Sequence, residues 1–217
     1  MKLSKYIDHT LLKADASVDA IKKLCCEAKE YDFKSVCVNT CNIELCKKEL
    51  AGSDVLTCCV IGFPLGAMSS ESKVFETKDA IAKGADEVDM VINIGRLKDK
   101  DYEYCTNEIK NIKAACGDKT LKVIIETCLL SDDEIVEACK CTMNGGADFV
   151  KTSTGFSTSG ATFEGVALMK KTVGDKCYIK AAGGVRSHED MLKMIELGAN
   201  RIGTSSGTKL ISIGEEI

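Results

Sequence analysis

The strongest constraint on the fold is a regular alternation of short apolar runs with longer amphipathic ones. Eight short runs rich in β-branched residues predict strands at residues 6–10, 35–39, 55–61, 87–93, 121–127, 149–153, 178–182 and 200–203. Helical patterns lie between them, which favours a parallel α/β fold, and eight strands favour a (β/α)8 TIM barrel formed by residues 1–217 as one domain. A doubly wound sheet is the alternative, but its nucleotide-binding motifs GxGxxG and GxxxxGK[ST] do not occur in the sequence.

The amphipathic segments carry start and stop signals of helices. They predict six helices, at residues 19–31, 70–83, 101–116, 131–144, 162–173 and 187–197. Two of them begin with capping-box patterns, Ser131-x-x-Glu134 and Ser187-x-x-Asp190. Five are followed by a glycine, the residue that most often ends a helix.

Three glycine-led segments, 84–89, 146–151 and 198–203, share one pattern of helix end, small turn and strand start. Aligning them places Asp89, Lys151 and Gly203 at the same depth in their strands. The alignment therefore predicts that an acid, an amine and a bare backbone meet at one level of the barrel.

Charge and hydropathy exclude several kinds of partner. The chain has 217 residues and a net charge of −4, and its acidic and basic side chains are interspersed. A nucleic-acid or membrane-surface binder would show a basic stripe instead. No apolar stretch approaches the roughly 18 residues of a membrane span, and the N-terminal residues lack the apolar region of a signal peptide. We therefore expect a cytoplasmic protein that binds neither nucleic acid nor a membrane.

Thirteen cysteines are the unusual feature of the composition. An odd number in a chain without secretory features does not suggest a disulfide framework. The cysteines lack the spacing of metal-ligand pairs, and the only histidines are His9 and His188. We expect buried thiols that pack as small hydrophobic groups, with no metal and no cofactor. A cysteine-based metal or redox protein is the alternative from a different class.

Two lysines carry the strongest functional signal. Lys151 and Lys180 lie in apolar strands that are adjacent in the predicted barrel, each near the carboxyl end. A free lysine has a pKa of about 10.4 and is neutral in only about one molecule in a few thousand at pH 7. An apolar wall and a neighbouring ammonium both disfavour its charged form. The pair therefore predicts an amine that can form a Schiff base with a carbonyl compound.

Two acidic residues are expected at the same face of the barrel. Asp89 can pair with Lys180 and move protons, directly or through water. Glu126, at the end of the fifth predicted strand, is a candidate for holding the catalytic residues in place without contacting the substrate. A purely structural role is equally open for Glu126, and a strand-end ion pair is the alternative for Asp89.

Glycine-rich and serine-rich loops follow the seventh and eighth predicted strands, at residues 183–186 and 203–207. Loops in these positions form the recurrent phosphate site of TIM barrels. Asp8, Thr10 and Cys37 end the first two strands and are expected at the same mouth. Cys37 is expected in the wall of the substrate pocket, because no basic partner that would activate its thiol is apparent.

Taken together, these segments resemble the deoxyribose-phosphate aldolase family. The resemblance rests on residues 8–13 (DHTLLK), 35–38 (SVCV), 87–95 (EVDMVINIG), 122–127 (KVIIET), 151–156 (KTSTGF), 180–186 (KAAGGVR) and 201–205 (RIGTS), which run from the first strand to the last. It implies a class I (Schiff-base) aldolase, an aldehyde-lyase on a (β/α)8 barrel, that acts in deoxyribonucleotide catabolism. The implied reaction interconverts 2-deoxy-D-ribose 5-phosphate with D-glyceraldehyde 3-phosphate and acetaldehyde. The family also implies a homodimer or homotetramer.

The resemblance assigns roles residue by residue. Lys151 is the implied Schiff-base lysine, Lys180 perturbs it, and Asp89 with Lys180 forms the proton relay. The implied substrate and phosphate positions are Thr154, Gly155, Gly183, Gly184, Gly203, Ser205 and Ser206. Another barrel aldolase with the same imine and a longer donor substrate is the nearest alternative.

The resemblance also exposes one departure. Some members of the family use a tyrosine at the end of a C-terminal tail for proton transfer at the acetaldehyde carbon. The last tyrosine here is Tyr178, and the sequence given ends in residues 212–217 (SIGEEI). We therefore expect either water held by Asp89 and Lys180 to transfer this proton or turnover to be slower.

Overall fold

The computed structural model describes residues 2–216 and shows a closed barrel of eight parallel strands in sequence order. The strands are β1 (Ile7–Leu11), β2 (Ser35–Asn39), β3 (Leu56–Ile61), β4 (Glu87–Val91), β5 (Thr120–Ile124), β6 (Phe149–Lys151), β7 (Tyr178–Ala182) and β8 (Arg201–Thr204). β8 pairs with β1 and closes the barrel. The predicted (β/α)8 fold is confirmed. The two ends of the predicted domain, residues 1 and 217, lie outside the described residues.

Helices connect the strands on the outside of the barrel. They are α1 (Val18–Glu30), α2 (Ile43–Glu49), α3 (Ser70–Ala82), α4 (Ile94–Lys98), α5 (Tyr102–Cys116), α6 (Asp132–Asn144), α7 (Phe163–Val173), α8 (His188–Glu196) and α9 (Gly207–Leu210). The six predicted helices are present with ends shifted by one residue at most. The prediction missed α2, α4 and α9, because helices of seven, five and four residues span too few turns to show a periodic pattern.

Both predicted capping boxes are present in the structure. The Ser131 and Ser187 side chains each accept the backbone N–H three residues on, and Glu134 and Asp190 bond back to the cap. Strand β5 ends earlier than predicted. The reason is Glu126, whose left-handed backbone (φ 55°) turns the chain into the 3-10 turn Thr127–Leu129.

Side chains alternate between the two faces of each strand. The outward faces pack with the helices in one apolar core, as Val88, Met90 and Val150 do. The inward faces of β4 to β8 and of β1 are largely polar and charged, although these residues are buried. The barrel therefore has a charged interior and an apolar layer between its strands and the surrounding helices.

Most of the thirteen cysteines belong to the buried set, as predicted, and all are free thiols. Cys26 and Cys41 are exposed, and Cys128 is half-buried. Within residues 2–216, no helix combines the length and the apolar character that crossing a membrane requires.

Candidate active site

A cavity of about 680 Å³ opens at the carboxyl ends of β1, β6, β7 and β8. All the predicted binding residues except Cys37 line it, together with Lys151: Thr154, Gly155, Gly183, Gly184, Gly203, Ser205 and Ser206. The predicted residues Asp89 and Lys180 are fully buried in the barrel below. The structure therefore brings the predicted binding loops and catalytic side chains to one end of the barrel.

Lys151, the last residue of β6, lines the cavity. Its side chain is only 3% exposed, and its Nζ lies 2.8 Å from Asp89 Oδ2. Lys180 Nζ lies 2.7 Å from the same carboxylate oxygen. The sequence predicts an apolar wall around Lys151, whereas the polar contact that the structure gives its amine is this carboxylate. Both lysines thus share one oxygen atom of Asp89.

Lys180 has a second carboxylate partner, Asp8, at 2.6 Å. Burial alone would lower the pKa of Lys180, but Asp8 and Asp89 together raise it above its ordinary value. The Lys180 amine is therefore held protonated. The sequence predicts Asp8 at the mouth, but Asp8 is fully buried below the mouth, while Thr10 two residues later lines the cavity.

Asp89 is surrounded by three ammonium groups. Burial would raise its pKa, yet Lys122, Lys151 and Lys180 hold it well below the usual value of 3.8. Lys122 reaches the other carboxylate oxygen, Oδ1, at 2.9 Å. Asp89 is therefore an ionised carboxylate that orients its neighbours.

Sequence reasoning missed three charged residues of this interior: Glu87, Lys122 and Arg201. All three are buried, and Lys122 Nζ and Arg201 Nη2 both contact Glu87, at 2.7 and 2.8 Å. The period of two along a strand could have found two of them, because Glu87 and Arg201 stand two residues before Asp89 and Gly203.

Asp89, Lys151 and Gly203 are each the third residue of their strands, the depth that the alignment predicts. Asp89 contacts both lysines, and a Cβ atom on Gly203 would come within 3.0 Å of Lys180 Cε. The bare backbone at position 203 leaves the space that the Lys180 side chain occupies.

Close backbone packing shapes the loops at the mouth. Gly183 and Gly184 have φ of 67° and 77°, and a Cβ atom on Gly184 would lie 2.7 Å from the carbonyl oxygen of Ala161. Glycine is therefore required at position 184 on two counts. The charged side chains that line the cavity are all cationic: Lys13, Lys151, Arg186 and Lys209. This lining suits an anionic ligand in a chain whose net charge is negative.

Glu126 contacts the cavity wall, and both of its interpretations stay predictions. Its carboxylate accepts the Thr154 backbone N–H at 3.2 Å and the Thr154 hydroxyl at 2.5 Å. The Thr154 hydroxyl in turn accepts the N–H of Phe156 at 3.0 Å. Glu126 therefore fixes the loop that follows the Schiff-base candidate.

Cys37 lies inside the barrel, fully buried, and packs with Leu12, Cys58 and Val60. Its thiol, the Cys58 thiol and an Asp89 oxygen lie within 4.8 Å of one another. Three soft or anionic groups at this distance could ligate a cation, but the three ammonium groups on Asp89 oppose one. The electrostatics of this cluster do not suit a metal ion. The pocket-wall role of Cys37 stays a prediction.

Two further positions lie away from this chemistry. Tyr178 is the first residue of β7, so it stands at the end of the barrel opposite the cavity.

A second cavity, of about 550 Å³, lies between α3 and α5 beside the exposed Phe75. None of the predicted site residues lines it.

Comparison with known proteins agrees with the geometry. Residues 2–211 match the family described as DeoC/LacD family aldolase. The deoxyribose-phosphate aldolase of Finegoldia magna is 62% identical over 211 residues, which cover 97% of this chain and 99% of that protein. The deoxyribose-phosphate aldolase of Streptococcus sanguinis is 59% identical over 216 residues, which cover 100% of this chain and 98% of that protein.

Solved structures extend the similarity to three dimensions. An aldolase named QR15 has a TM-score of 0.93 at 39% identity, covering 97% of this chain and 94% of its own. The deoxyribose phosphate aldolase of Aeropyrum pernix, described as a unique tetramer, has a TM-score of 0.85 at 31% identity, covering 96% and 88%. Since the family match spans nearly the whole chain and the similarity to these relatives is full-length, the chain belongs to the DeoC/LacD aldolase family.

Proposed function

We propose that this aldolase catalyses the reversible cleavage of 2-deoxy-D-ribose 5-phosphate to D-glyceraldehyde 3-phosphate and acetaldehyde. The observation that carries the proposal is the pair of lysine amines on one Asp89 oxygen, directly below a cavity with a cationic lining. Relatives that cover the whole chain and are named for this activity support the choice of substrate.

The reaction begins at Lys151. Its neutral amine attacks the C1 aldehyde of the substrate, and loss of water from the resulting carbinolamine leaves a protonated imine. The Lys180 ammonium, fixed by Asp8 and Asp89, stabilises the ionised Asp89 beside the new cationic imine. Asp89 then contacts the protonated imine of Lys151, where it contacted the Lys151 ammonium before.

Cleavage follows at the bond between C2 and C3. A base removes the proton of the C3 hydroxyl, the C3 carbonyl forms, and the electron pair of the C2–C3 bond moves into the imine to give an enamine. D-glyceraldehyde 3-phosphate leaves. Protonation of the enamine carbon and addition of water then release acetaldehyde and restore Lys151. The pKa of Asp89 lies well below its usual value, so its carboxylate is a weak base. We therefore assign these proton transfers to water held by Asp89 and Lys180.

The phosphate end of the substrate would occupy the mouth. Gly183, Gly184, Ser205 and Ser206 line it, and Arg186 adds a positive charge. Binding of the phosphate there would hold C1 over Lys151, and this positioning lowers the barrier before any chemistry begins. Cys37 is assigned to the wall below, beside Asp89.

Reductive trapping tests the mechanism. Borohydride added with 2-deoxyribose 5-phosphate should leave a stable adduct on Lys151, located by peptide mass spectrometry. Lys122 is the matched internal control, because it is an equally buried lysine on the same carboxylate but points to the other oxygen. An adduct on another lysine, or none at all, would overturn the mechanism.

Donor choice separates the proposal from another barrel aldolase with the same imine. In the synthetic direction, with D-glyceraldehyde 3-phosphate as acceptor, acetaldehyde should be the preferred donor over a three-carbon ketone. Preference for the ketone would retain Schiff-base chemistry and overturn the proposed substrate.

Self-association and location complete the proposal. We propose a homodimer or homotetramer, in line with the tetramer named for the Aeropyrum pernix relative, and light scattering of the purified chain would measure the mass directly. A cytoplasmic location stays a prediction from the sequence, and fluorescence microscopy of a tagged chain would test it.

A further inference from the structure

We propose that Glu87 and Arg201 are positioning residues that make Lys151 the amine that gives up its proton. They do so by completing a closed ring of six buried charges of alternating sign. The inference rests on the proposed function, because it concerns the same Schiff-base lysine. It adds two residues that contact neither the cavity nor the reacting atoms.

The ring passes through side chains of six positions, in the order Lys180, Asp8, Arg201, Glu87, Lys122 and Asp89, and returns to Lys180. Each successive pair is joined by a nitrogen-to-oxygen contact of 2.6 to 2.9 Å. Every member is at least nine-tenths buried. Removing one side chain therefore leaves its neighbours without solvent to replace it.

Groups from every strand face this interior. They are Asp8 from β1, Ser35 and Cys37 from β2, Cys58 from β3, Glu87 and Asp89 from β4, Lys122 from β5, Lys151 from β6, Lys180 from β7 and Arg201 from β8. Glu126, beyond β5, is bonded to Thr154 instead. Burial raises the pKa of the Cys58 thiol, whereas its contact with Cys58 lowers the pKa of the Cys37 thiol against the effect of burial. Both thiols lie outside the ring and are the same in every variant.

Charge counting singles out Lys151. The ring holds three cations and three anions and is neutral. Lys151 contacts the ring only through Asp89 Oδ2, an oxygen that Lys180 also occupies. With every group ionised, the seven side chains carry a net charge of +1, which is costly to bury. Deprotonation of Lys151 removes this charge and leaves the ring intact.

Neighbours of opposite charge hold Lys122, Arg201 and Asp8 in their charged forms. Against the effect of burial, carboxylate neighbours raise the pKa of Lys122 and of Arg201. Also against burial, Arg201 and Lys180 lower the pKa of Asp8. Each ring cation contacts two carboxylates, whereas Lys151 contacts Asp89 alone. Loss of the Lys151 proton therefore breaks the fewest ion pairs.

This arrangement predicts opposite effects for two neutral substitutions. Glu87→Gln removes a negative charge, makes the interior more positive and favours a neutral Lys151 at lower pH. Arg201→Met removes a positive charge and favours a protonated Lys151 to higher pH. The double variant restores the original balance. General disorder of the site would instead lower activity at every pH without moving the profile.

The experiment measures kcat/KM against pH for the full chain and the three variants, with 2-deoxyribose 5-phosphate as substrate. We expect the acidic limb to move down by about one pH unit in Glu87→Gln and up by about one unit in Arg201→Met. The double variant should return to the wild-type limb. The substrate phosphate titrates near pH 6, but it does so identically in all four proteins.

Trapping provides a second readout at Lys151 itself. At a fixed pH below the limb, the rate of cyanoborohydride adduct formation should rise about tenfold in Glu87→Gln and fall about tenfold in Arg201→Met. Arg201→Lys keeps the charge and serves as the conservative control, with no shift expected.

The outcomes separate the two proposals. A wild-type chain that neither cleaves the substrate nor traps at Lys151 contradicts the proposed function. A wild-type chain that does both, with single variants that leave the limb in place or move it in the same direction, overturns the ring proposal. If one single variant fails to fold, the other and the double variant decide. If all three fail to fold, the pair has a structural role and the proposal is overturned.

Discussion

The interior of the barrel and the loops at its mouth are adjacent, yet they are built in opposite ways. The interior consists of charged side chains on strands, fully buried and joined by short contacts. The mouth consists of glycine and serine backbone with exposed cations such as Arg186. Side-chain charges held by strands can set a protonation state, whereas backbone in glycine loops leaves room for a ligand. In the proposed function, the interior carries the chemistry and the mouth binds the substrate.

The largest expected effect follows from removing the reactive amine. Lys151→Met should lower the cleavage rate by at least about a thousandfold, because no imine can form at this position. The free energy of unfolding should not fall, since the buried charges become balanced and Asp89 keeps Lys122 and Lys180. Steady-state assay and urea unfolding measure the two effects.

The matched control for this change is Lys193→Met, which breaks an exposed pair with Glu196 on α8 and should leave activity unchanged. Residual cleavage above one per cent in Lys151→Met would place the Schiff base on another amine.

Substitution at the other end of the same ion pair should act differently. Asp89→Asn leaves four cations against two anions in the buried interior, and we expect it to destabilise the fold by about 3–5 kcal/mol. Chemical denaturation measures the loss. Asp79→Asn, which breaks an exposed pair with Lys83, should leave stability unchanged. Equal stability of Asp89→Asn and Lys151→Met would contradict the charge count.

At the mouth, the substitution Gly184→Ala should weaken substrate binding and leave the buried charges of the interior in place. Gly184→Ala places a Cβ atom 2.7 Å from the Ala161 carbonyl oxygen and strains a backbone with φ of 77°. We expect KM for the phosphorylated substrate to rise roughly tenfold, with a smaller change in kcat, because the loop rather than Lys151 moves.

Gly174→Ala is the control for backbone strain alone. Its φ is 56°, but no atom lies within 4 Å of the added Cβ, and the residue ends α7 away from the cavity. This variant should lose some stability and no affinity. A change in kcat alone in Gly184→Ala would show that the loop does not bind the substrate.

The smallest effect is expected from pH between the extremes. The folded-state pKa values of Asp8 and Asp89 lie below the ordinary value of 3.8, so their stabilisation is complete above that pH and is lost as the pH falls through the folded values. Those of Lys122 and Lys180 lie above 10.5, so their stabilisation is complete below 10.5 and is lost as the pH rises through the folded values. The contribution of the ring should therefore be constant from about pH 4 to about pH 10.

Urea unfolding across the pH range, compared between the wild type and Asp89→Asn, measures this contribution. The difference in unfolding free energy should stay level inside the window and shrink outside it. A difference that shrinks between pH 5 and 8 would contradict the depressed carboxylate values.

Sequence reasoning reached the fold and the place of the site because both depend on local periodicity. The eight strands and the longer helices follow from alternation and caps, such as Ser131 with Glu134. Lys151 and Lys180 were found because a charged residue in an apolar strand stands out. Lys122 was missed although it stands in an equally apolar strand, since no glycine-rich loop follows it and its partners lie on other strands.

The barrel, the strand ends that carry the lysines and the glycine loops beside them could all be predicted from the sequence. These features depend on residue type and spacing, which are local properties of the chain. Which charges meet depends on the folded barrel, because Arg201 and Asp8 are joined where β8 pairs with β1, 193 residues apart in sequence. Closure of the barrel and the stagger of its strands bring distant residues of the sequence together in one ring. Local sequence patterns do not describe these long-range contacts.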